Sequence, residues 1–253
     1  MTLSSAYLLV THGSRDPRPQ MAVERLAQLV YQRLRSSSTS FRSLRHFSTT
    51  AVLDKARPLV GTATLELSLP LHQSIERFAQ QAQGQGIGQV KILPLFLLPG
   101  VHVQEDIPRE VTQAQPLVDA KLELCPYLGS QPGLLNLLAQ QLDPAIEARI
   151  LLSHGSRRPR SKILVENLAC QLRAVTAYWS VAPSLQHQIQ ALATAGHRHI
   201  AILPYFLFAG GITEAIAQQV HVTQQNSPNV KLHLGQPLGT TAELANLIVE
   251  MAA

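Results

Sequence analysis

Apolar residues recur along this chain in two alternating rhythms. Short aliphatic and β-branched runs such as YLLVT and VKILP are each followed by a turn, then by a longer stretch whose apolar positions return every three or four residues. In the first part of the chain this predicts strands near 6–11, 61–67, 89–97 and 121–125, with helices near 18–35, 71–83, 103–115 and 131–142. The rest repeats the order, with strands near 149–153, 177–181, 199–207 and 230–234 and helices near 160–175, 184–196, 212–225 and 240–252. Strand and helix in alternation imply a parallel sheet covered on both faces. The expected fold is α/β, with two tandem Rossmann-like domains, each a mainly parallel sheet flanked by helices.

The two halves are copies of one unit. Leu8 to Ala27 (LLVTHGSRDPRPQMAVERLA) aligns without gaps within the segment Arg149 to Ala169 (RILLSHGSRRPRSKILVENLA), Leu8 falling on Ile150, and the two share HGSR, PR, VE and LA. VKILPLFLLPG, ending at Gly100, matches IAILPYFLFAG, ending at Gly210. The offset is 142 positions for the first pair (12 to 154) and 110 for the second (94 to 204), so copy one carries 32 more residues between its blocks. The surplus falls in the Ser-, Thr- and Arg-rich stretch 35–58, which lacks an apolar face and reads as an inserted loop. Pro144 breaks the preceding helix, which places the domains at 1–143 and 144–253.

Composition narrows the function classes. The 253 residues are 45% hydrophobic and 15% charged, which suits a globular protein of one large or two ordinary domains. The longest apolar run, Ile92 to Val101, is half a membrane span, and the N-terminus lacks the basic leader and long apolar core of a signal peptide. A cytoplasmic protein without a membrane partner is expected. In a reducing compartment Cys125 and Cys170 are expected to be ordinary buried thiols. The formal charge is +5, and the six basic residues between Arg33 and Arg57 set against Asp54 account for all of it. One basic loop without zinc-finger spacing or an RNA-binding signature does not make a nucleic-acid protein.

Candidate chemistry follows from topology. In an open parallel sheet, ligands bind beyond the carboxyl ends of the strands where strand order reverses. His12 directly follows the first strand, and His102 follows the third after the turn Pro99-Gly100. First and third strands are commonly neighbours in such sheets, so both imidazoles would face one cleft. Glu66, ending the second strand, is a third polar group on that edge. Copy two keeps His154 but has Ser180 for Glu66 and Ile212 for His102, so only copy one carries the set. The HGSR turn also has a purely structural reading, with the Ser14 hydroxyl capping backbone N–H groups. Glu105 and Asp106 open a helix, where acids favour the dipole regardless of function. His72, His187, His197, His199, His221 and His233 read as surface, turn or single helix and strand residues.

HGSRDPRP at 12–19, LELSLP at 65–70 and PLFLLPGVHVQEDIP at 94–108 resemble the sirohydrochlorin chelatases, the class II chelatases of siroheme and cobalamin synthesis. The resemblance spans essentially the whole chain, because long members of that family are two fused copies. It implies a lyase that inserts Fe²⁺ or Co²⁺, with Ni²⁺ a further candidate, into sirohydrochlorin and releases two protons. It also implies His12 and His102 as the metal-handling pair, Glu66 as a third catalytic group, and a degenerate second half. Ser14, Arg15, Leu98, Pro99, Gly100 and Val101 fall on the motifs expected to meet the macrocycle. The insertion at 35–58 departs from the family pattern, and so do the leucine and serine that follow Glu66 in LELSLP.

Metal insertion explains these residue types. Two imidazoles, with or without one carboxylate, leave coordination positions open, whereas a closed four-ligand site would trap the ion. Imidazole suits Fe²⁺, Co²⁺ and Ni²⁺, and its ordinary pKa near 6.5 also lets it accept a pyrrole proton. No tightly bound cofactor is required, since the metal is itself a substrate. Arg15, beside His12, suits the carboxylates of the macrocycle. Two fused copies suggest a monomer that holds internally what a dimer of single units would supply. Two alternatives remain: a tetrapyrrole or metal carrier that binds without inserting, and a phosphohistidine phosphohydrolase, although such enzymes place arginine before the histidine where this chain has Thr11. If the basic insertion folds over the cleft, deleting residues 36–56 is expected to raise the apparent KM for the macrocycle in a steady-state assay. An unchanged KM would reduce the segment to a linker.

Overall fold

The computed structural model describes residues 5–40, 58–67, 69–146, 148–156 and 159–252. Most of the basic insertion, residues 41–57, lies outside the described residues. Among the described residues there are two four-stranded sheets, and every pairing within them is parallel.

The first sheet has the order β2-β1-β3-β4, from β1 (Ser5–Thr11), β2 (Leu59–Thr64), β3 (Gln89–Pro94) and β4 (Lys121–Leu124). Alternation along β1 sends Ala6, Leu8 and Val10 to one face, where they pack with Leu71, Ile75 and Phe78 of α2 (Leu71–Gln83) and Ile107 and Ala114 of α3 (Ile107–Ala114). α2 approaches closely because Gly61 lies beneath Phe78: a Cβ there would sit 2.5 Å from the ring. The opposite face is covered by α1 (Pro17–Ser40), against which α8 (Ala242–Met251) packs within the same unit. The Lys91 ammonium on that face donates to the Ala252 carbonyl at 2.5 Å.

The second sheet repeats the order as β6-β5-β7-β8, from β5 (Ala148–Ser153), β6 (Val175–Tyr178), β7 (His199–Pro204) and β8 (Lys231–Leu234). One face packs on α6 (Leu185–Thr194) and α7 (Gly211–Asn226) through Leu185, Ile189, Ile216 and Val220. α5 (Pro159–Gln171) serves the other face, and α4 (Gly133–Ala139) belongs to this unit as well. No helix among the described residues is long and apolar enough to cross a membrane.

The compact units are divided differently from the sequence copies. One holds the chain up to Gln131 together with Thr240 onward, and the other is Pro132–Gly239. The closing helix of each copy is thus counted with the other copy's sheet, an exchange that periodicity cannot reveal.

Several boundaries also differ from the sequence expectation. β2 ends at Thr64 and β3 at Pro94, each three residues short of the predicted end, because the chain leaves the ladder to build the carboxyl-edge loops. β6 likewise ends at Tyr178 and β7 at Pro204. α1 runs on to Ser40, over the first six residues of the stretch 35–58 read as an inserted loop. Cys125 is buried, and burial pushes its thiol up to about 11, whereas Cys170 is exposed on α5 rather than buried.

Ile248 of α8 is fully buried, so Ile248→Ala is expected to cost about 2–5 kcal/mol. Urea unfolding followed by circular dichroism would show it as a lower midpoint, and an unchanged midpoint would mean that α8 does not complete the first unit's core.

Candidate metal centre

Three loops meet at the carboxyl edge of the first sheet. β1 lies between β2 and β3, so the chain segments that follow these strands emerge side by side. The ladder continues one step into the loops, where the Glu66 N–H donates to the His12 carbonyl at 3.0 Å and the Leu95 N–H to that of Val10 at 2.8 Å. Gly13 makes this crossing possible. It takes a left-handed φ of 97°, and a Cβ there would stand 2.7 Å from the Glu66 carbonyl oxygen. Leu67 also sits in the left-handed region, at φ 69°, immediately after Glu66 and 59% exposed. A strained and exposed leucine beside a polar cluster is a feature of functional loops that hydropathy alone does not disclose.

The three predicted polar groups come together. The imidazoles of His12 and His102 meet edge to face, with ring centroids 4.8 Å apart and an interplanar angle of 79°. His12 Nε2 is 3.8 Å from Glu66 Oε1, and one ligand atom from each of His12, Glu66 and His102 lies within 4.8 Å of the others. The His12 and Glu66 side chains are half exposed, at 51% and 53%, so the cluster opens to solvent. Among the described residues it is the only group of three or more such side chains placed to hold an ion.

The second nitrogen of each ring is already engaged. His12 Nδ1 lies 3.2 Å from the Gly13 carbonyl oxygen, and His102 Nδ1 lies 2.8 Å from Asp106 Oδ2. Both partners are acceptors, so each Nδ1 carries the proton and donates, leaving the Nε2 lone pair available. Paired imidazoles held in this tautomer can bind a metal ion or accept protons.

His102 occupies a π-helical turn, His102–Asp106, in which the Ile107 N–H donates to the His102 carbonyl. The sequence predicted an ordinary helical start here, and such single wide turns are frequent at functional sites. Asp106 in turn accepts from Arg109 at 2.9 Å. The hydrogen bond with the His102 ring, aided by the Arg109 charge, holds its carboxyl below the usual carboxylate range. Nearby, Glu110 accepts from the His72 backbone N–H and from its Nδ1, both at 2.9 Å, which ties α2 to α3. Burial works to raise the Glu110 carboxyl, yet these hydrogen bonds leave it lowered. A cavity of about 340 Å³ is lined by Glu66, His102, Asp106, Arg109 and Glu110 with the apolar Leu65 and Leu71.

The other predicted residues fall on the same edge with distinct surroundings. Arg15 is exposed. The Ser14 hydroxyl accepts from the Asp16 N–H at 3.1 Å and so shapes the turn, while Asp16 caps α1 by accepting from the Arg18 N–H at 3.0 Å. In the turn after β3, the Gly100 N–H donates to the Leu98 carbonyl; Pro99 is buried, whereas Leu98 and Val101 are partly exposed. Asp106 and Arg109 are what the sequence reading passed over as partners. Their spacing from His102, i+4 and then i+3, is the signal that marks them.

Copy two repeats the turn without counterparts of Glu66 and His102. The Ser180 N–H donates to the His154 carbonyl at 2.9 Å, as Glu66 does to His12, and Gly155 takes φ 88°. The Ser180 hydroxyl donates to the same carbonyl at 2.8 Å, and Ile212, at the place of His102, is exposed.

Comparison with known proteins agrees with this architecture. A sirohydrochlorin cobaltochelatase of Priestia megaterium is 22% identical over 271 residues, covering 97% of this chain and 78% of that protein. A sirohydrochlorin ferrochelatase of Bacillus subtilis (strain 168) is 24% identical over 189 residues, covering 69% and 71%. Among solved structures, SirB from Bacillus subtilis with Fe³⁺ superposes with a TM-score of 0.74 at 20% identity, covering 99% of this chain and 94% of that one. CbiX, described as the terminal enzyme of siroheme biosynthesis in denitrifying bacteria, gives a TM-score of 0.60 at 21% identity, covering 98% and 97%. These likenesses carry the fold of both halves. The CbiX family profile matches the chain twice, over residues 6–145 and 148–253, and the chain therefore belongs to the CbiX family.

Proposed function

We propose that this chain inserts a divalent metal ion, Fe²⁺ or Co²⁺, into sirohydrochlorin, giving siroheme or cobalt-sirohydrochlorin with release of two protons. The observation that carries this reading is the meeting of His12, His102 and Glu66 within 4.8 Å, with both Nδ1 atoms engaged as donors. The named activities of the relatives, one a cobaltochelatase and one a ferrochelatase, support the substrate class.

In this mechanism the ion enters an incomplete set of donors, so water or the macrocycle completes its shell. As the ring nitrogens take the metal, two pyrrole N–H protons must leave, and a free imidazole Nε2 or the Glu66 carboxylate can receive them. One imidazole presents the ion while the other takes a proton, because a single lone pair cannot do both. The Asp106 carboxylate keeps His102 in the required tautomer and orientation. Exposed Leu67 and Leu69 offer apolar surface to the flat face of the macrocycle, and exposed Arg15 and Arg109 offer charge to its carboxylates.

An anaerobic absorbance assay with sirohydrochlorin and each of Fe²⁺, Co²⁺ and Ni²⁺ tests the proposal. His12→Ala and His102→Ala are each expected to lower the insertion rate by about 100-fold or more, while His154→Ala keeps the wild-type rate. Macrocycle binding without turnover for any of the three ions would instead indicate a carrier. Asp106→Ala is expected to weaken Co²⁺ binding by about 10- to 100-fold, as removal of a ligand-orienting carboxylate does. The KM for the metal should rise while that for the macrocycle stays constant. A rise confined to the macrocycle KM would argue that Asp106 serves substrate docking rather than the His102 ring.

A further inference from the structure

A second pair of histidines meets within the Pro132–Gly239 unit. His199 opens β7 and His233 lies in β8. The parallel register sets His199 opposite Lys231 and Ala201 opposite His233, so both imidazoles leave the same face of the sheet on neighbouring diagonal positions. His199 Nδ1 and His233 Nε2 are 3.3 Å apart, with the rings 22° from parallel and their centroids separated by 5.6 Å. The centroid spacing exceeds the nitrogen spacing by two ring radii, so the two nitrogens face each other.

Copy one shows what this diagonal does when its task is structural. Gln89 and Glu123 hold the corresponding register positions, and the Gln89 amide donates to Glu123 at 2.6 Å. Lys91, where copy two has Ala201, adds an ion pair to Glu123 at 3.6 Å. Copy two thus replaces an amide and a carboxylate with two metal-ligating side chains. It also replaces the lysine between them with a small neutral residue, which removes one charge that would repel a cation.

The spacing suits an ion. Two metal–nitrogen bonds of about 2.0–2.1 Å at a tetrahedral angle span roughly 3.3 Å between the nitrogens. Each ring must turn by roughly 35° to aim its lone pair at a shared ion in that geometry. His199 is exposed and His233 only partly buried, so neither ring is locked in place. Of the charges that act on His233, the Asp143 carboxylate favours a cation and the Lys231 ammonium opposes it.

We propose that His199 and His233 form a second divalent-metal site, a cross-strand imidazole pair that binds a late first-row ion such as Co²⁺, Ni²⁺ or Zn²⁺ with water completing the shell. The site is separate from the His12 and His102 cluster and does not depend on the reading given to that cluster.

Equilibrium dialysis of the full chain against Co²⁺ at neutral pH tests it. The wild type is expected to bind two equivalents, His199→Ala/His233→Ala one, and His12→Ala/His102→Ala one. His199→Gln/His233→Gln, which keeps hydrogen-bonding groups on the diagonal, guards against a folding artefact and is also expected to bind one. Two equivalents retained by the Ala or the Gln pair would overturn the site, as would a wild type whose single equivalent survives His199→Ala/His233→Ala. Failure of the first-unit reading looks different, because His12→Ala/His102→Ala would then bind as much Co²⁺ as the wild type.

Discussion

The backbone hydrogen bond from Glu66 to the His12 carbonyl carries the β1–β2 ladder past the ends of both strands. It delivers the carboxylate beside the imidazole before any side-chain attraction is needed. The crossing requires a residue without a Cβ and with positive φ at position 13, since the Glu66 carbonyl occupies the space a side chain would take. The glycine of the HGSR motif therefore serves the approach of two chain segments. The histidine before it inherits its place from that approach.

Copy two supports this separation of frame from chemistry. Its His154-Gly155 turn has the same ladder extension and the same left-handed glycine, yet Ser180 and Ile212 stand at the places of Glu66 and His102. A turn repeated without its partners marks the part of the motif that builds the sheet edge. The cluster of His12, Glu66 and His102 is the part that copy one alone carries. Charge follows the same logic, because the first-unit cavity is lined by Glu66, Asp106 and Glu110 against a single arginine, Arg109. Such a lining favours a cation, while Arg15 and Arg109 stand exposed on the same edge.

The two histidines are tuned by different means. His12 faces a backbone carbonyl that neighbours it in sequence, so its ring orientation comes with the turn. His102 depends on Asp106, which depends in turn on a helical start wound wide enough to set the ring and carboxylate 2.8 Å apart. Change at Asp106 or Arg109 therefore reaches the orientation of the His102 ring without touching His12 or Glu66. The His72 and Glu110 bridge holds α2 against α3 beneath this arrangement.

Hydropathy rhythm and self-similarity were enough to read the parallel α/β architecture, the duplication, and His12, His102 and Glu66 as neighbours, because these follow from strand order and from the rule that places ligands at carboxyl edges. Three features needed the folded chain. The assignment of α8 to the first unit depends on which apolar surface a helix covers, and amphipathicity does not name its partner. The π-helical turn at His102 and the left-handed Leu67 are local geometries set by tertiary packing, with no signature in composition. The meeting of His199 with His233 arises from strand register, since residues 34 positions apart become neighbours only once β7 and β8 are paired.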